Sequence, residues 1–136
     1  MRYWRGITTF FLLLALIVAA PAPALAATDT AGPVFVSSSV SASSFNLAKG
    51  PARFTVRVSL KDPAGVQTPT ITVSHQGTDQ GHGFGAMTLV SGDATNGTWE
   101  RQVTIPTHAA PGQWDVTLYP TSDTLGNTGD FFRTIA

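Results

Sequence analysis

The sequence predicts an all-β protein that folds as an antiparallel β-sandwich of about seven strands. In several short runs, apolar and polar residues alternate with a period of two, as they do in strands with one buried face. No stretch carries a helical period of useful length. Clusters of Gly, Pro, Asn and Asp separate the runs at the spacing of a sandwich, not at that of strands joined by helices.

Seven runs define the predicted strands, A to G in chain order. The clearest is strand B, ARFTVRVSLK, in which every second residue from Phe54 to Leu60 is apolar. Since the chain has no cysteine, we expect the core to depend on aromatic side chains, foremost Trp114, Trp99 and Phe54. The predicted strands span residues 34–40, 52–61, 70–74, 86–90, 98–105, 113–119 and 130–135.

Two features of these runs carry extra information. The pair Asn96-Gly97 lies between strands D and E and predicts a type I′ hairpin turn, because that turn needs positive φ at both central residues. Arg101 has the inward parity of strand E. This parity indicates either that the strand lies near a sheet edge or that the side chain extends over the core rim to water.

The N-terminus has the pattern of a secretory signal peptide over residues 1–26. Two arginines precede an apolar run over residues 10–20, which is short for a membrane span of ~20 residues, and an A-x-A pattern ends at Ala26. We therefore expect cleavage there, a short tail over 27–32 and one sandwich domain over 33–136. This organisation predicts a secreted, extracellular or cell-surface protein with no membrane insertion after cleavage.

Charge and cysteine content exclude several classes of function. Without the signal peptide the chain has six basic and eight acidic residues, and no Lys/Arg cluster. Binding to nucleic acid or to an anionic membrane surface usually needs such a cluster, so both partners are disfavoured. With no cysteine, thiolate metal sites, thiol catalysis and disulfides are excluded.

Several motifs together resemble a bacterial immunoglobulin-like repeat domain of secreted and cell-surface proteins. The longest stretch is GTWERQVTIPTHAAPGQWDVTLYPTSDTLGN, and shorter pieces are DTAGPVF at the start of the domain and the loop KDPAGV. The resemblance implies a noncatalytic immunoglobulin-like β-sandwich that acts in adhesion, presentation or substrate targeting. It also implies that calcium can be bound near domain junctions.

Four oxygen-bearing side chains are expected to meet at one pole of such a sandwich, where the B-C loop, the F-G loop and the start of strand A lie together. They are Asp29, Asp62, Asp123 and Asn127. Calcium takes six to eight hard oxygen ligands, so these residues are candidate calcium ligands. The alternative is that Asp123 and Asn127 only make turn hydrogen bonds, while Asp62 starts a turn at Pro63.

The three histidines, His75, His82 and His108, are the alternative metal ligands, for zinc or copper. They fall in the predicted C-D and E-F loops, which share the opposite pole. Their spacing matches no metal signature, and solvated loop histidines are the simpler explanation. Because no nucleophile motif accompanies them, the sequence predicts no enzyme.

Exposed aromatic residues are the remaining route to a binding function. Tyr119 has outward parity on strand F, and Phe131 is expected to join it from strand G. The partner would be an unidentified protein or a cell-surface polysaccharide. The sequence thus predicts a secreted binding or structural accessory module with calcium as its candidate cofactor, and as the alternative an extracytoplasmic zinc- or copper-binding protein.

Overall fold

The computed structural model describes residues 28–129 and 133–135, so the predicted signal peptide lies outside the described residues. Within the described residues there are eight strands and one short 3₁₀ helix, Leu47–Lys49. The strands are β1 (Val34–Val40), β2 (Ala52–Lys61), β3 (Thr70–His75), β4 (Gly81–Ala86), β5 (Thr88–Gly92), β6 (Asn96–Ile105), β7 (Trp114–Leu118) and β8 (Arg133–Thr134).

The strands form two antiparallel sheets of four strands each. One sheet has the order β1-β2-β6-β5 and the other the order β4-β3-β7-β8. On β2 the residues alternate between buried and less buried along the whole strand, as its period of two requires. The prediction of an all-β antiparallel sandwich is confirmed, with eight described strands in place of about seven.

The additional strand arises because the chain changes sheets at Met87. The prediction of one strand over residues 86–90 is wrong: β4 ends at Ala86 in one sheet, and β5 begins at Thr88 in the other. Met87 is buried at the crossing, and its N–H donates to the carbonyl of Pro69 at 2.9 Å. A single sequence window therefore contains residues of both sheets.

Strand β4 contains GHGFG, a segment that the sequence suggested was a loop. Its glycines let it lie close to β6 of the other sheet. A Cβ atom added at Gly83 would come within 2.9 Å of Val103 Cγ1, and one added at Gly85 within 2.7 Å of Arg101 Nη2. Because these inward positions need glycine, the strand has no apolar alternation by which to recognise it.

Arg101 lies on β6, which is flanked by β2 and β5, so its strand is not at a sheet edge. Its guanidinium does not simply extend to water. It donates to the carbonyls of Gly83 at 3.0 Å, Phe84 at 3.2 Å and Ala86 at 2.7 Å. The inward-facing charge thus links the two sheets by binding the backbone of the edge strand β4.

The predicted type I′ turn at Asn96-Gly97 is wrong, since both residues belong to β6 and neither has positive φ. The β5-β6 connection is instead residues 93–95. Asp93 Oδ1 accepts hydrogen bonds from Thr95 N, Thr95 Oγ1 and Asn96 N. A side-chain acceptor therefore closes the hairpin, an alternative to the backbone turn that the Asn-Gly pair suggests.

Both sheets contribute to one core, and its aromatic residues include those expected. Phe54 and Trp99 are buried, while Trp114 is half-buried and packs against the core. The other buried apolar residues are Ala52, Val56, Val58, Leu60, Val66, Ile71, Val73, Met87, Val103, Ile105, Ala109, Val116 and Leu118.

The connections between strands form two poles. We call the end where residues 28–33, 62–66, 93–95 and 121–129 meet the acidic pole, and the end with residues 41–48 and 106–113 the open pole. Strand β2 runs from the open pole to the acidic pole.

Candidate functional site

Four segments that meet at the acidic pole share one local device. In each, an aspartate Oδ1 accepts a hydrogen bond from the backbone N–H two residues later, which folds the chain back in an Asx turn. The pairs are Asp29 with Ala31 (3.0 Å), Asp62 with Ala64 (2.8 Å), Asp93 with Thr95 (2.8 Å) and Asp123 with Leu125 (2.9 Å). The turn role predicted for Asp62 and Asp123 is therefore present.

Asp123 is the most enclosed of these aspartates, with no exposed surface. Its Oδ1 also accepts from Asn127 N at 2.8 Å, and its Oδ2 accepts from Asn127 Nδ2 at 2.7 Å. Burial acts to raise the pKa of Asp123, but the hydrogen bonds from Asn127, Leu125 and Gly126 outweigh it and hold that pKa below its ordinary value. The negatively charged carboxylate form of Asp123 is therefore favoured.

Asp62 follows β2 directly and is also buried. Its N–H donates to the carbonyl of Thr95 at 2.9 Å, which ties the B-C loop to the neighbouring hairpin. The loop reaches Asp123 as well, because Val66 forms a β-bridge with that residue. Two of the predicted ligands are therefore held together by backbone hydrogen bonds.

The N-terminal segment brings the third carboxylate. Gly32 lies so close to Thr128 that an added Cβ would be 2.2 Å from the Thr128 carbonyl carbon. Asn127 Nδ2 donates to the carbonyl of Asp29 at 3.1 Å, so the predicted tail is docked along residues 28–33. Asp29 Oδ2 is buried and has no hydrogen-bond partner among the described residues.

These segments place one carboxylate oxygen each of Asp29, Asp62 and Asp123 within 4.8 Å of one another. The one ion pair found in residues 28–129 and 133–135 joins Arg57 to Glu100, so no cationic side chain neutralises the three acids. Like charges this close repel one another, and a divalent cation would relieve the repulsion. Oxygen ligands of this type suit calcium or magnesium, not the thiolate and imidazole sites of zinc.

Asn127 makes the turn hydrogen bonds with Asp123 that were the alternative prediction, and its side chain also reaches the N-terminal segment. Its Nδ2 donates both to Asp123 Oδ2 and to the backbone of Asp29, so it acts as a connector between two of the acidic segments. A carboxamide nitrogen carries no lone pair for a cation, so only the oxygen of Asn127 is chemically suited to ligate one.

The histidines are arranged differently. The rings of His75 and His82 both contact Trp114, with centroids 5.1 and 5.4 Å from its ring. His75 Nδ1 accepts from Gly77 N, and His75 Nε2 lies 3.1 Å from the carbonyl of Pro111. In the part of the chain that the structure describes, the aspartate group is the only set of three or more acidic or histidine ligands found, and the exposed His108 is not in such a set.

The predicted aromatic patch is described at Tyr119, where the structure places Phe84 beside it. Tyr119 is half-buried, and its ring meets that of Phe84 edge to face at 6.0 Å. Phe84 is 67% exposed, whereas Phe131 lies outside the described residues. Sequence reasoning missed Phe84 because it assigned GHGFG to a loop; the glycines at every second position from Gly81 were the signal for a strand.

Comparisons of the chain with protein-family models, with curated proteins and with solved structures found no match. Among the described residues, no helix has the length and apolar character needed to cross a membrane. The fold and the site define a two-sheet antiparallel β-sandwich with a cluster of three carboxylates at one pole.

Proposed function

We propose that this protein is an exported, noncatalytic immunoglobulin-like module, with a binding or structural accessory role, that is stabilised by calcium at the acidic pole. The observation that carries the proposal is the three-carboxylate cluster in which Asp29 Oδ2 is buried without a partner. A buried polar oxygen without a hydrogen bond costs free energy, and a bound cation is one way to offset that cost.

Calcium suits this cluster better than magnesium does. Calcium accepts an irregular set of six to eight oxygens, whereas magnesium requires nearly ideal octahedral geometry. Here Asp62 and Asp123 are held in tight turns, and Asp29 arrives on a separate segment. Backbone carbonyls and water would complete the coordination. An extracellular site of this kind has a Kd of about 0.1–1 mM and is filled where calcium is abundant.

A calcium ion there would join the N-terminal segment to two loops of the sandwich. Its effect is therefore expected on the stability of the folded state, and through it on the direction in which the chain enters the domain. The export expected from residues 1–26 fits this role, because millimolar calcium is met outside the cell.

The noncatalytic part of the proposal rests on the placement of the groups that could do chemistry. His75 uses both ring nitrogens in contacts that hold loops, and two of the three carboxylates, Asp62 and Asp123, are buried at the acidic pole. The exposed Phe84 beside Tyr119 offers an aromatic contact surface for a protein or a cell-surface polysaccharide.

The first prediction concerns calcium. After treatment with a chelator, the melting temperature of the purified protein is measured against increasing Ca²⁺, with Mg²⁺ as the comparison ion. At ten times Kd the ion should stabilise the fold by about 1.4 kcal/mol, equal to roughly 5–10 °C for a domain of this size. Mg²⁺ at equal concentration should give a smaller shift.

Asp62→Asn is the test variant, because the carboxamide oxygen can keep the turn hydrogen bond to Ala64 while one charge is removed. Asp93→Asn is its matched control, since Asp93 makes the same turn at the same pole but is exposed and outside the cluster. The calcium shift should be lost in the first variant and kept in the second. An unchanged melting temperature with Ca²⁺, or equal loss in both variants, would refute calcium binding here.

The same assay tests the alternative function. A melting shift with Zn²⁺ or Cu²⁺ that disappears in His82→Ala, together with no response to Ca²⁺, would favour the histidine-based protein over the calcium-stabilised one.

A further inference from the structure

The open pole contains a groove whose lining includes none of the three clustered aspartates. Its volume is about 920 Å³, within the range of small-molecule sites. Its inner end reaches the core between the two sheets, where it is lined by the buried Ile105 of one sheet and the buried Val73 of the other. Phe45 stands at one side with its ring 5.2 Å from that of Phe54, and Trp114 lines the other. We call this the open-pole groove.

The walls of the groove are formed by two loops that are rich in small side chains, through residues 42–48 of one and residues 107 and 109–113 of the other. Alanine, serine and glycine at these positions leave space between the two loops. The innermost lining residues belong to the buried core, so the apolar surface that solvent reaches in the groove is mainly that of the partly exposed Phe45, Leu47 and Trp114. A folded domain usually covers such surface, and an open apolar cavity often marks a binding site.

The second loop is held in place by hydrogen bonds from the neighbouring sheet and hairpin. Trp114 Nε1 donates to the carbonyl of Ala110 at 3.3 Å, and Gln80 Oε1 accepts from Ala110 N at 2.8 Å. His75 Nε2 lies 3.1 Å from the carbonyl of Pro111. These three side chains hold the loop away from residues 42–48, so the groove is formed before any ligand arrives. A preformed site loses less conformational entropy on binding.

The charge of the lining restricts the ligand. No Lys, Arg or His lines the groove, and Asp115 is its one ionisable residue. Asp115 Oδ1 accepts from Gln76 Nε2 at 2.8 Å, which keeps the carboxylate at the rim in place. An anionic molecule would meet this carboxylate with no cation to compensate it, so the lining discriminates against negative charge.

We propose that the open-pole groove binds a small, mainly apolar molecule that carries no negative charge, whose ring or chain packs against Phe45 and Trp114. The partly exposed side chains of Phe45, Leu47 and Trp114 supply the affinity when the ligand removes their hydrophobic surface from water. Asp115 supplies selectivity against anions, and the polar side chains of the rim remain hydrated. The site lies at the pole opposite the carboxylate cluster, so it succeeds or fails independently of calcium binding.

The second prediction tests this with two probes that share an aromatic framework but differ in charge. The neutral N-phenyl-1-naphthylamine should gain fluorescence saturably with a Kd on the order of 10 μM. The anionic 8-anilinonaphthalene-1-sulfonate should bind at least about tenfold more weakly. Equal binding of both probes, or no saturable signal with the neutral one, would overturn the proposal.

Two variants locate the binding. Ala42→Phe places a ring in the rim of the groove at an exposed position and should weaken the neutral probe by about tenfold or more. Ala94→Phe is the matched control at the exposed turn of the acidic pole and should leave binding unchanged. Unaltered binding by folded Ala42→Phe places the probe elsewhere and refutes the proposal.

The other variant, Asp115→Asn, removes the one charge of the lining while keeping an acceptor for Gln76. It should narrow the difference between the Kd values of the two probes, mainly because the anionic probe binds more tightly. Because this substitution is conservative, it tests the proposal even if Ala42→Phe does not fold. An unchanged ratio of the two Kd values would contradict the inferred charge selectivity.

Discussion

The two poles of this sandwich cover the same core in opposite ways. At the acidic pole four segments interlock through side-chain and backbone hydrogen bonds, and Asp123 has no exposed surface. At the open pole two loops stand apart and leave a groove of about 920 Å³ that reaches the core. The strands are shared by both ends, so the difference comes from the connections.

Turn chemistry explains much of this difference. Each of the four segments at the acidic pole has an aspartate that accepts from the backbone two residues later, which turns the chain sharply inward. At the open pole, Asn46 makes the corresponding bond with Ala48 in one loop. Polar atoms therefore close one end of the fold, while small side chains leave the other end accessible.

The third prediction has the largest expected effect and compares Asp123→Ala with Asp93→Ala. Both aspartates accept hydrogen bonds from backbone N–H groups in tight turns, but Asp123 is buried and Asp93 is exposed. Removing the buried acceptor leaves its donors without water or partners, so the melting temperature should fall by roughly 10 °C or more. In Asp93→Ala, water can replace the lost acceptor. Melting temperatures are measured by circular dichroism. An equal decrease in the two variants would show that burial does not change how much these turns contribute to stability.

The fourth prediction is acid sensitivity of the acidic pole. The pKa of Asp123 in the folded protein is lowered from 3.8, so its contribution to stability is present above that value and is lost as the pH falls through the lower, folded-state pKa. Urea unfolding of the chelator-treated protein should show this loss as the pH falls below 3.8. Asp123→Asn should lose less stability across the same interval. Identical pH profiles for the two proteins would contradict the role of this carboxylate.

The smallest expected effect concerns the exposed apolar residues of the two poles. Phe45 at the open pole is 38% exposed and packs on Phe54, whereas Leu125 at the acidic pole is 58% exposed. Phe45→Ala should reduce the free energy of unfolding by about 1 kcal/mol, because part of its ring is buried. Leu125→Ala should change it by less than about 0.5 kcal/mol. An unchanged free energy of unfolding in Phe45→Ala would mean that this ring does not help to cover the core.

The elements that the sequence predicted well are those with a strict period of two. The predicted bounds 52–61 coincide with β2, and 70–74 agrees with β3 to within one residue. Alternation is reliable there because each of these strands has one face toward the core, so its side chains must change polarity at every step.

The errors occurred where a contact between sheets replaced that pattern. Strand β4 is built on glycines that make room for Val103 and Arg101, and such a strand has no apolar face to recognise. The hairpin before β6 closes on the Asp93 side chain instead of on Asn96-Gly97. The open-pole groove was not predicted, since a cavity is defined by the distance between loops that are far apart in sequence.

By itself, the sequence determined that this chain builds an all-β sandwich and which segments carry the acidic residues. The physical reason is that strand periodicity and Asx turns are local properties of neighbouring residues. Only the tertiary structure decided that Asp29, Asp62 and Asp123 approach within 4.8 Å, that Arg101 joins the two sheets, and that one pole stays open. These features depend on the packing of distant segments, whose separations no local pattern encodes.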